Sequence, residues 1–172
     1  RVVHVSEGRE SAVVAELGAV LSDKGGDAKA VTHAAIDMYP AYISGVMEHL
    51  PNAKIVFDKF HIVAMLSKAM DDLRKLERKE AELLKGHKYT FLSTYKNLSS
   101  NKQGELDYLL FMYPRLGEGY RLKEMFSLFW EMKDTEEALA FLTFWCDLVL
   151  ETDIQPFKQF VKTLKAHWSG IM

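Results

Sequence analysis

Cysteine and proline are scarce in this sequence. One cysteine and four prolines occur among 172 residues, which excludes an internal disulfide and argues against a proline-rich disordered chain. The cysteine, Cys146, lies in an apolar run, so we predict a small core residue rather than a catalytic thiol. No apolar run approaches the roughly 20 residues of a membrane helix, and no signal-peptide pattern opens the chain. These absences predict a soluble, cytoplasmic protein.

An excess of basic charge is also missing. The chain carries 22 Lys and Arg against 24 Asp and Glu, a formal net charge of −2. It therefore has no overall positive field that would attract nucleic acid, and any DNA contact must be local. A glycine-rich phosphate loop after a strand is missing too, because Gly25 and Gly26 precede a predicted strand. This argues against a nucleotide-binding domain.

Short strand and helix patterns alternate over the first third of the chain. Predicted strands cover residues 1–6, 28–36 and 53–57, and predicted helices cover residues 11–21 and 40–50. Such alternation is typical of parallel α/β topology, in which functional residues collect at the carboxyl ends of the strands. We predict an α/β domain over residues 1–62.

All strong patterns after His61 are helical. Helical periodicity runs through residues 62–85, and a polar break follows at residues 93–103. Further helices are predicted at about residues 106–113, 121–132, 135–151 and 155–168. We predict an all-helical domain over residues 63–172.

The segment 135–151 is apolar enough to form the centre of a helical bundle. Thr135 is a possible helix cap at its start. Phe141, Trp145 and Leu148 fall on one helical face, and we expect them inside the bundle.

Two aspartates directly follow predicted strands. Asp37 follows residues 28–36 and Asp58 follows residues 53–57. Carboxylates at neighbouring strand ends can converge on a hard cation such as Mg²⁺ or Mn²⁺. A pair of such ions about 4 Å apart promotes in-line attack on a DNA phosphodiester. The alternative is structural, because an aspartate after a strand often caps the next turn or helix.

A second candidate site is the basic segment 85–102. It contains Lys85, Lys88, Lys96 and Lys102, no acidic residue, and three interleaved aromatic residues. Such a segment could lie along a phosphate backbone and stack on exposed bases. The alternative interpretation, which we favour, is a solvated loop that joins the two halves.

The stretch AVTHAAIDMYPAYISGVMEHLPNAKIVFDKFHIV resembles the core of the ISL-three family of insertion-sequence transposases, which belong to the DDE superfamily. In that family a strand-ending Asp precedes a Tyr-containing helix, followed by Pro-x-Ala, an apolar strand and Asp-x-Phe-His. The later segments YRLKEMFSLFW and AHWSGI match the order of the family's helical insertion. The resemblance covers nearly the whole chain.

The resemblance implies a ribonuclease H-like fold, here a partial mixed sheet with flanking helices followed by an all-α insertion. It also implies a site of three acidic residues that bind divalent metal. Asp37 matches the second of them, and an alternative register gives that role to Asp58. Asp58 and His61 match a downstream Asp-x-x-His signature. His61 could orient a carboxylate or contact substrate, or could be a structural hydrogen-bonding residue.

The function implied by the resemblance is metal-dependent cleavage and transfer of DNA strands at transposon ends, with Mg²⁺ or Mn²⁺ as cofactor. The expected partners are DNA and, through self-association into a homo-oligomer, further copies of the same protein. Because the chain begins with Arg1 and ends without a helix stop, we expect a piece of a longer protein whose other acidic ligands lie outside it. The piece alone is then expected to be inactive. The alternative is a non-catalytic DNA- or protein-interaction module.

Overall fold

The computed structural model describes residues 2–79 and 81–171. The chain divides into two compact units, one formed by Arg1–Ile62 with His167–Met172 and the other by Val63–Ala166. Helices dominate the described residues, and a pair of parallel strands makes the fold a mixed α/β one. Within the described part of the chain, no helix is both long and apolar enough to cross a bilayer.

The first unit alternates helices and strands. Its elements in chain order are α1 (Ala12–Asp23), a 3-10 turn (Ala28–Ala30), β1 (His33–Ile36), α2 (Pro40–His49), β2 (Lys54–Phe57), the start of α3 (Lys59–Arg78) and, at the end of the chain, α9 (Trp168–Ile171). Pro40 occupies the first turn of α2, where its missing N–H is not needed and its fixed φ suits the helix.

The strands β1 and β2 pair in parallel, with His33 opposite Lys54 and Ile36 opposite Phe57. The helices α1 and α2 supply Val14, Val46 and Leu50 to a small core that covers apolar side chains of both strands. Close approach of the two helices depends on Gly45, because a Cβ there would lie 2.8 Å from Val14 Cγ2.

The helix α9 packs on β2. A Cβ at Gly170 would lie 2.5 Å from the Phe57 ring, and the His167 ring meets the same phenyl edge-on at 5.2 Å between centroids. The C-terminal residues of the described chain therefore belong to the α/β unit and hold the end of β2 in place.

The strand predicted over residues 1–6 is wrong for residues 2–6, which have no regular structure; Arg1 lies outside the described residues. Val2 and Val5 are largely exposed, and an isolated strand without a hydrogen-bonded neighbour is not stable. The prediction for residues 28–36 is right only at its end, since β1 begins at His33. Asp27 accepts a hydrogen bond from the Lys29 amide and starts a 3-10 turn instead.

The second unit is helical. It continues α3 and contains α4 (Lys88–Leu92), α5 (Ser100–Met112), α6 (Pro114–Phe126), α7 (Thr135–Glu151) and α8 (Gln155–Ala166), with 3-10 turns at Glu82–Leu84, Tyr95–Asn97 and Ser127–Glu131. Its core contains a cluster of aromatic rings contributed by Phe126, Phe129, Trp130, Trp145 and Phe160.

Trp145 is fully buried, as predicted, and its indole N–H donates to Leu122 O at 2.9 Å. Phe141 and Leu148 are only half-buried, because the inward face of α7 is formed by Leu142, Cys146 and Val149 together with the tryptophan. Phe141 and Leu148 lie at the edge of this face, so the predicted inward face is rotated about the helix axis by roughly one residue.

The cap of α7 is Asp134 and not the predicted Thr135. The Asp134 carboxylate accepts from the Glu137 amide at 2.9 Å. Cys146 is buried as predicted, and burial raises the pKa of its thiol to about 11.

Candidate functional site

Asp37 and Asp58 directly follow the paired ends of β1 and β2. Since Ile36 is opposite Phe57 in the parallel register, the two aspartates leave the sheet at the same level. The Asp58 amide extends the ladder by donating to Ile36 O at 2.9 Å. Backbone pairing in the sheet therefore fixes the relative positions of the two aspartates independently of their side-chain contacts.

Each aspartate uses one carboxylate oxygen to organise its own turn. Asp37 Oδ1 accepts from the Tyr39 amide at 2.9 Å, and Asp58 Oδ1 accepts from the Phe60 amide at 2.8 Å. The second contact caps the start of α3. The capping interpretation is thus correct for one oxygen of each side chain, and the Oδ2 oxygens are left for other partners.

His61 lies against both Oδ2 oxygens. Its Nδ1 is 3.2 Å from Asp58 Oδ2, and its Nε2 is 3.9 Å from Asp37 Oδ2. The first distance fits a hydrogen bond and the second an electrostatic contact only. The side chains remain accessible, with relative exposures of 54% for His61, 30% for Asp37 and 39% for Asp58. One imidazole therefore connects the ends of two neighbouring strands.

The donor set suits a hard cation bound with help from water or substrate. Mg²⁺ is commonly held by one or two carboxylates while its other positions are filled by water and phosphate oxygens. The Oδ2 atoms of Asp37 and Asp58 are oxygen donors of this kind, and neither accepts from a backbone amide among the described contacts. Within residues 2–79 and 81–171, no group of three or more His, Cys, Asp or Glu side chains has metal-binding geometry.

The basic segment 85–102 is held largely by internal contacts. Phe91 is buried, and the Tyr95 hydroxyl donates to Asp107 at 2.9 Å. Lys85 and Lys102 are paired with Glu82 and Glu105. These contacts argue against a continuous nucleic-acid surface. The prediction of a solvated loop between the two halves is wrong as well, because the segment lies within the second unit and contains α4.

Comparison with known proteins adds a decisive observation. A family model described as a transposase, that of the ISL-three group of DDE transposases, matches residues 1–172. The chain belongs to the ISL-three transposase family.

One relative of this ISL-three chain is the transposase for insertion sequence element IS1001 of Bordetella parapertussis. It is 26% identical over 155 residues, which cover 86% of this chain and 38% of the relative. The chain therefore spans well under half the length of that protein. No solved structure matches significantly.

Sequence reasoning missed two exposed aromatic residues beside the aspartates of this ISL-three chain. Phe60 is 80% exposed and Tyr39 is 44% exposed, and each donates its amide to the preceding aspartate. The spacing Asp-x-aromatic occurs after both strands and was the available signal. A sequence pattern does not distinguish an exposed ring from a buried one, so their exposure required the structure.

Proposed function

We propose that this chain provides part of the catalytic centre of a DDE transposase, which cleaves and transfers DNA strands at insertion-sequence ends with the help of divalent metal. The observation that carries the proposal is the convergence of Asp37 Oδ2 and Asp58 Oδ2 on His61 at paired strand ends. Membership of a transposase family makes DNA the substrate class. On this proposal the α/β unit is part of a ribonuclease H-like core and the helical unit is its insertion.

The three residues have different roles. Asp37 is the principal metal ligand, because its carboxylate is the least exposed of the three groups and makes no hydrogen bond to His61. Asp58 caps α3 through Oδ1 and directs Oδ2 to His61, the residue that also lies near Asp37 Oδ2. His61 is a positioning residue that holds the orientation of Asp58 through Nδ1.

Mg²⁺ or Mn²⁺, when bound, would lower the pKa of the attacking water or hydroxyl and stabilise the leaving oxygen. The protein's own part is to keep two oxygens in fixed positions at the sheet edge, so that the ligands need no reorganisation as charge develops. Two carboxylates are few for a pair of divalent ions, whose mutual repulsion needs more negative charge to offset it. We therefore expect residues 1–172 alone to bind metal weakly and not to cut DNA.

The test is a cleavage assay with the full-length transposase on DNA that carries the element's ends. Asp37→Asn should abolish cleavage and strand transfer while DNA binding is retained, since the amide keeps the turn to Tyr39 but removes the charge. Asp27→Asn is a matched control, because Asp27 makes the same turn to Lys29 away from the strand ends. Robust cleavage by the Asp37→Asn protein would contradict the assignment of Asp37 as the principal metal ligand and favour the alternative register, in which Asp58 has that role.

A further inference from the structure

The outer side of α8 carries a row of three lysines, of which Lys162 and Lys165 are exposed and Lys158 is half-buried. Lys158, Lys162 and Lys165 are spaced by four and then three residues, so they lie along one flank of the helix. The inner face consists of Phe157, Phe160, Val161 and Leu164, all buried. We call the three lysines the α8 lysine stripe.

This stripe has no acidic residue on its own helix. The segment from Gln155 to the end of the sequence contains three lysines and no Asp or Glu. Since the whole chain has a net charge of −2 and this segment carries +3, the remaining residues together carry −5. The stripe is therefore a local concentration of positive charge in an otherwise acidic chain.

Few groups neutralise the stripe. Among the residues that the structure describes, Lys158 and Lys162 form no ion pair, and Lys165 Nζ lies 4.0 Å from Asp147 Oδ1, at the outer limit for a pair. Both partners of that contact are at least half exposed, so water and salt screen it strongly.

Other lysines of the helical unit provide a contrast. Lys85 lies 2.9 Å from Glu82 and Lys102 lies 2.7 Å from Glu105, each three residues away in sequence. Lys68 is likewise paired with Asp72, four residues away. Acidic residues three or four positions away thus neutralise surface lysines at several places in this unit. The helix α8 contains no acidic residue that could do the same.

The spacing of the stripe fits a phosphate backbone. At 1.5 Å per residue, positions four and seven residues apart lie about 6 and 10 Å along the helix axis. Phosphates of one DNA strand advance about 3.4 Å per nucleotide along the duplex axis. The long, flexible lysine side chains can therefore reach two or three phosphates of one strand.

The stripe is also rigidly mounted. Phe160 packs edge-on against Phe126 and Trp145, at 5.5 and 5.9 Å between ring centroids. A helix held in this way keeps its lysines in register, which lowers the entropy lost when they bind a regular array of charges. The better anchored the helix is, the more its outer flank behaves as a preformed surface.

We propose that the α8 lysine stripe binds the sugar-phosphate backbone of DNA, as a contact of the helical unit that positions the duplex without reading its sequence. This rests on the proposed function, since it takes DNA as the substrate. The opposite charges, the matching spacing and the absence of acidic residues from α8 itself are the observations that favour DNA over an apolar or basic protein partner.

The test compares variants of the full-length transposase in DNA-binding assays over a range of salt concentrations. The triple change Lys158→Gln, Lys162→Gln, Lys165→Gln should weaken binding by on the order of tenfold or more and reduce the salt slope by roughly two to three. The loss should be equal for terminal-repeat DNA and for a random duplex of the same length, because backbone contacts carry no sequence information. Replacing the three lysines with arginine should restore binding.

The matched control is Lys68→Gln, Lys85→Gln, Lys102→Gln, which removes the same charge from positions paired with acids. It should leave the salt slope nearly unchanged. Equal losses in the two triple variants would overturn the stripe and indicate a general charge effect, and so would unchanged binding by the α8 variant. Circular dichroism and thermal unfolding check that both variants fold.

The Asp37→Asn protein, run in parallel, separates this inference from the proposed function. Loss of binding in the α8 variant together with cleavage by Asp37→Asn would retain the stripe and reject the catalytic site. Unchanged DNA binding by the α8 variant together with loss of cleavage by Asp37→Asn would reject only the stripe.

Discussion

His61 Nε2 lies 3.9 Å from Asp37 Oδ2, although a strand and a helix separate the two residues along the chain. The contact exists because the parallel register brings the start of α3 beside the end of β1. The same ring hydrogen-bonds to Asp58, so a change at His61 should loosen the Asp58 carboxylate and take away a neighbour of Asp37 without removing either acid.

His61→Ala in the full-length transposase should lower the cleavage rate at saturating DNA by about 10- to 100-fold, the usual effect of losing a group that orients metal ligands. The Mg²⁺ concentration for half-maximal rate should rise, whereas DNA affinity should stay the same. His33→Ala is the control, because His33 is exposed at the start of β1, away from the aspartates, and its ring nitrogen lies within hydrogen-bond distance of the Thr32 hydroxyl. A reduced rate with an unchanged Mg²⁺ requirement would argue against a positioning role.

Gly119→Ala should destabilise the helical unit by roughly 1–3 kcal/mol, since the new methyl group would lie 2.5 Å from the buried Leu73 Cδ2. Gly104→Ala should stabilise it by up to about 1 kcal/mol, because Gly104 lies inside α5 with open space around it. Urea unfolding followed by circular dichroism measures both changes. Equal stabilities for the two variants would contradict the close packing of α6 on α3.

Lys123→Met should destabilise the fold by about 2–4 kcal/mol. The buried ammonium donates to Ser93 O at 2.7 Å and to Leu92 O at 3.3 Å, and it contacts Glu124 at 2.9 Å. These contacts fasten the segment after α4 to α6, so the variant should also be cut faster by protease near residue 93. The control Lys133→Met changes an exposed lysine and should have little effect.

Stability should fall between about pH 9 and pH 11 in a way that depends on Cys146. Burial raises the pKa of this thiol to about 11 from an unfolded value of 9.0. The unfolded chain therefore releases its proton first as the pH rises, and the stability that the neutral thiol contributes below pH 9 is lost towards pH 11. The loss amounts to roughly 2–3 kcal/mol.

The measurement is the free energy of unfolding at several pH values for the wild-type protein and for Cys146→Ala. The alanine variant has a constant cost from its cavity, so only the difference in pH dependence reports on the thiol. Parallel pH profiles for the two proteins would show that the thiol titrates alike in both states.

The sequence predicted those elements that local patterns determine. The runs that became β2, α1 and α2 have the correct type within a few residues, and Asp37 and Asp58 emerge at strand ends as expected. The strand at residues 2–6 failed because strand formation depends on a partner, which periodicity does not reveal. Phe141 and Leu148 were misplaced because an apolar helix has no sharp boundary between its faces.

The site was only partly predictable for a similar reason. The positions of the two aspartates could be predicted because both directly follow strands. The position of His61 near both carboxylates depends on the register between the two strands and on the direction of α3. The α8 lysine stripe was hidden in the sequence because the chain's net charge is close to zero. The structure distinguishes it from the lysines of neighbouring segments, which are paired with acidic residues.

The turns at the strand ends limit which acidic side chain can serve there. In each turn the aspartate Oδ1 accepts a hydrogen bond from the amide two residues later in the chain. The N···O distance is 2.9 Å for Asp37 and 2.8 Å for Asp58. Glutamate carries the same charge on a side chain one methylene longer, so it cannot close that short ring and keep its second oxygen in the same place. Length, and not only charge, is therefore a chemical requirement at both positions, and the backbone itself enforces it.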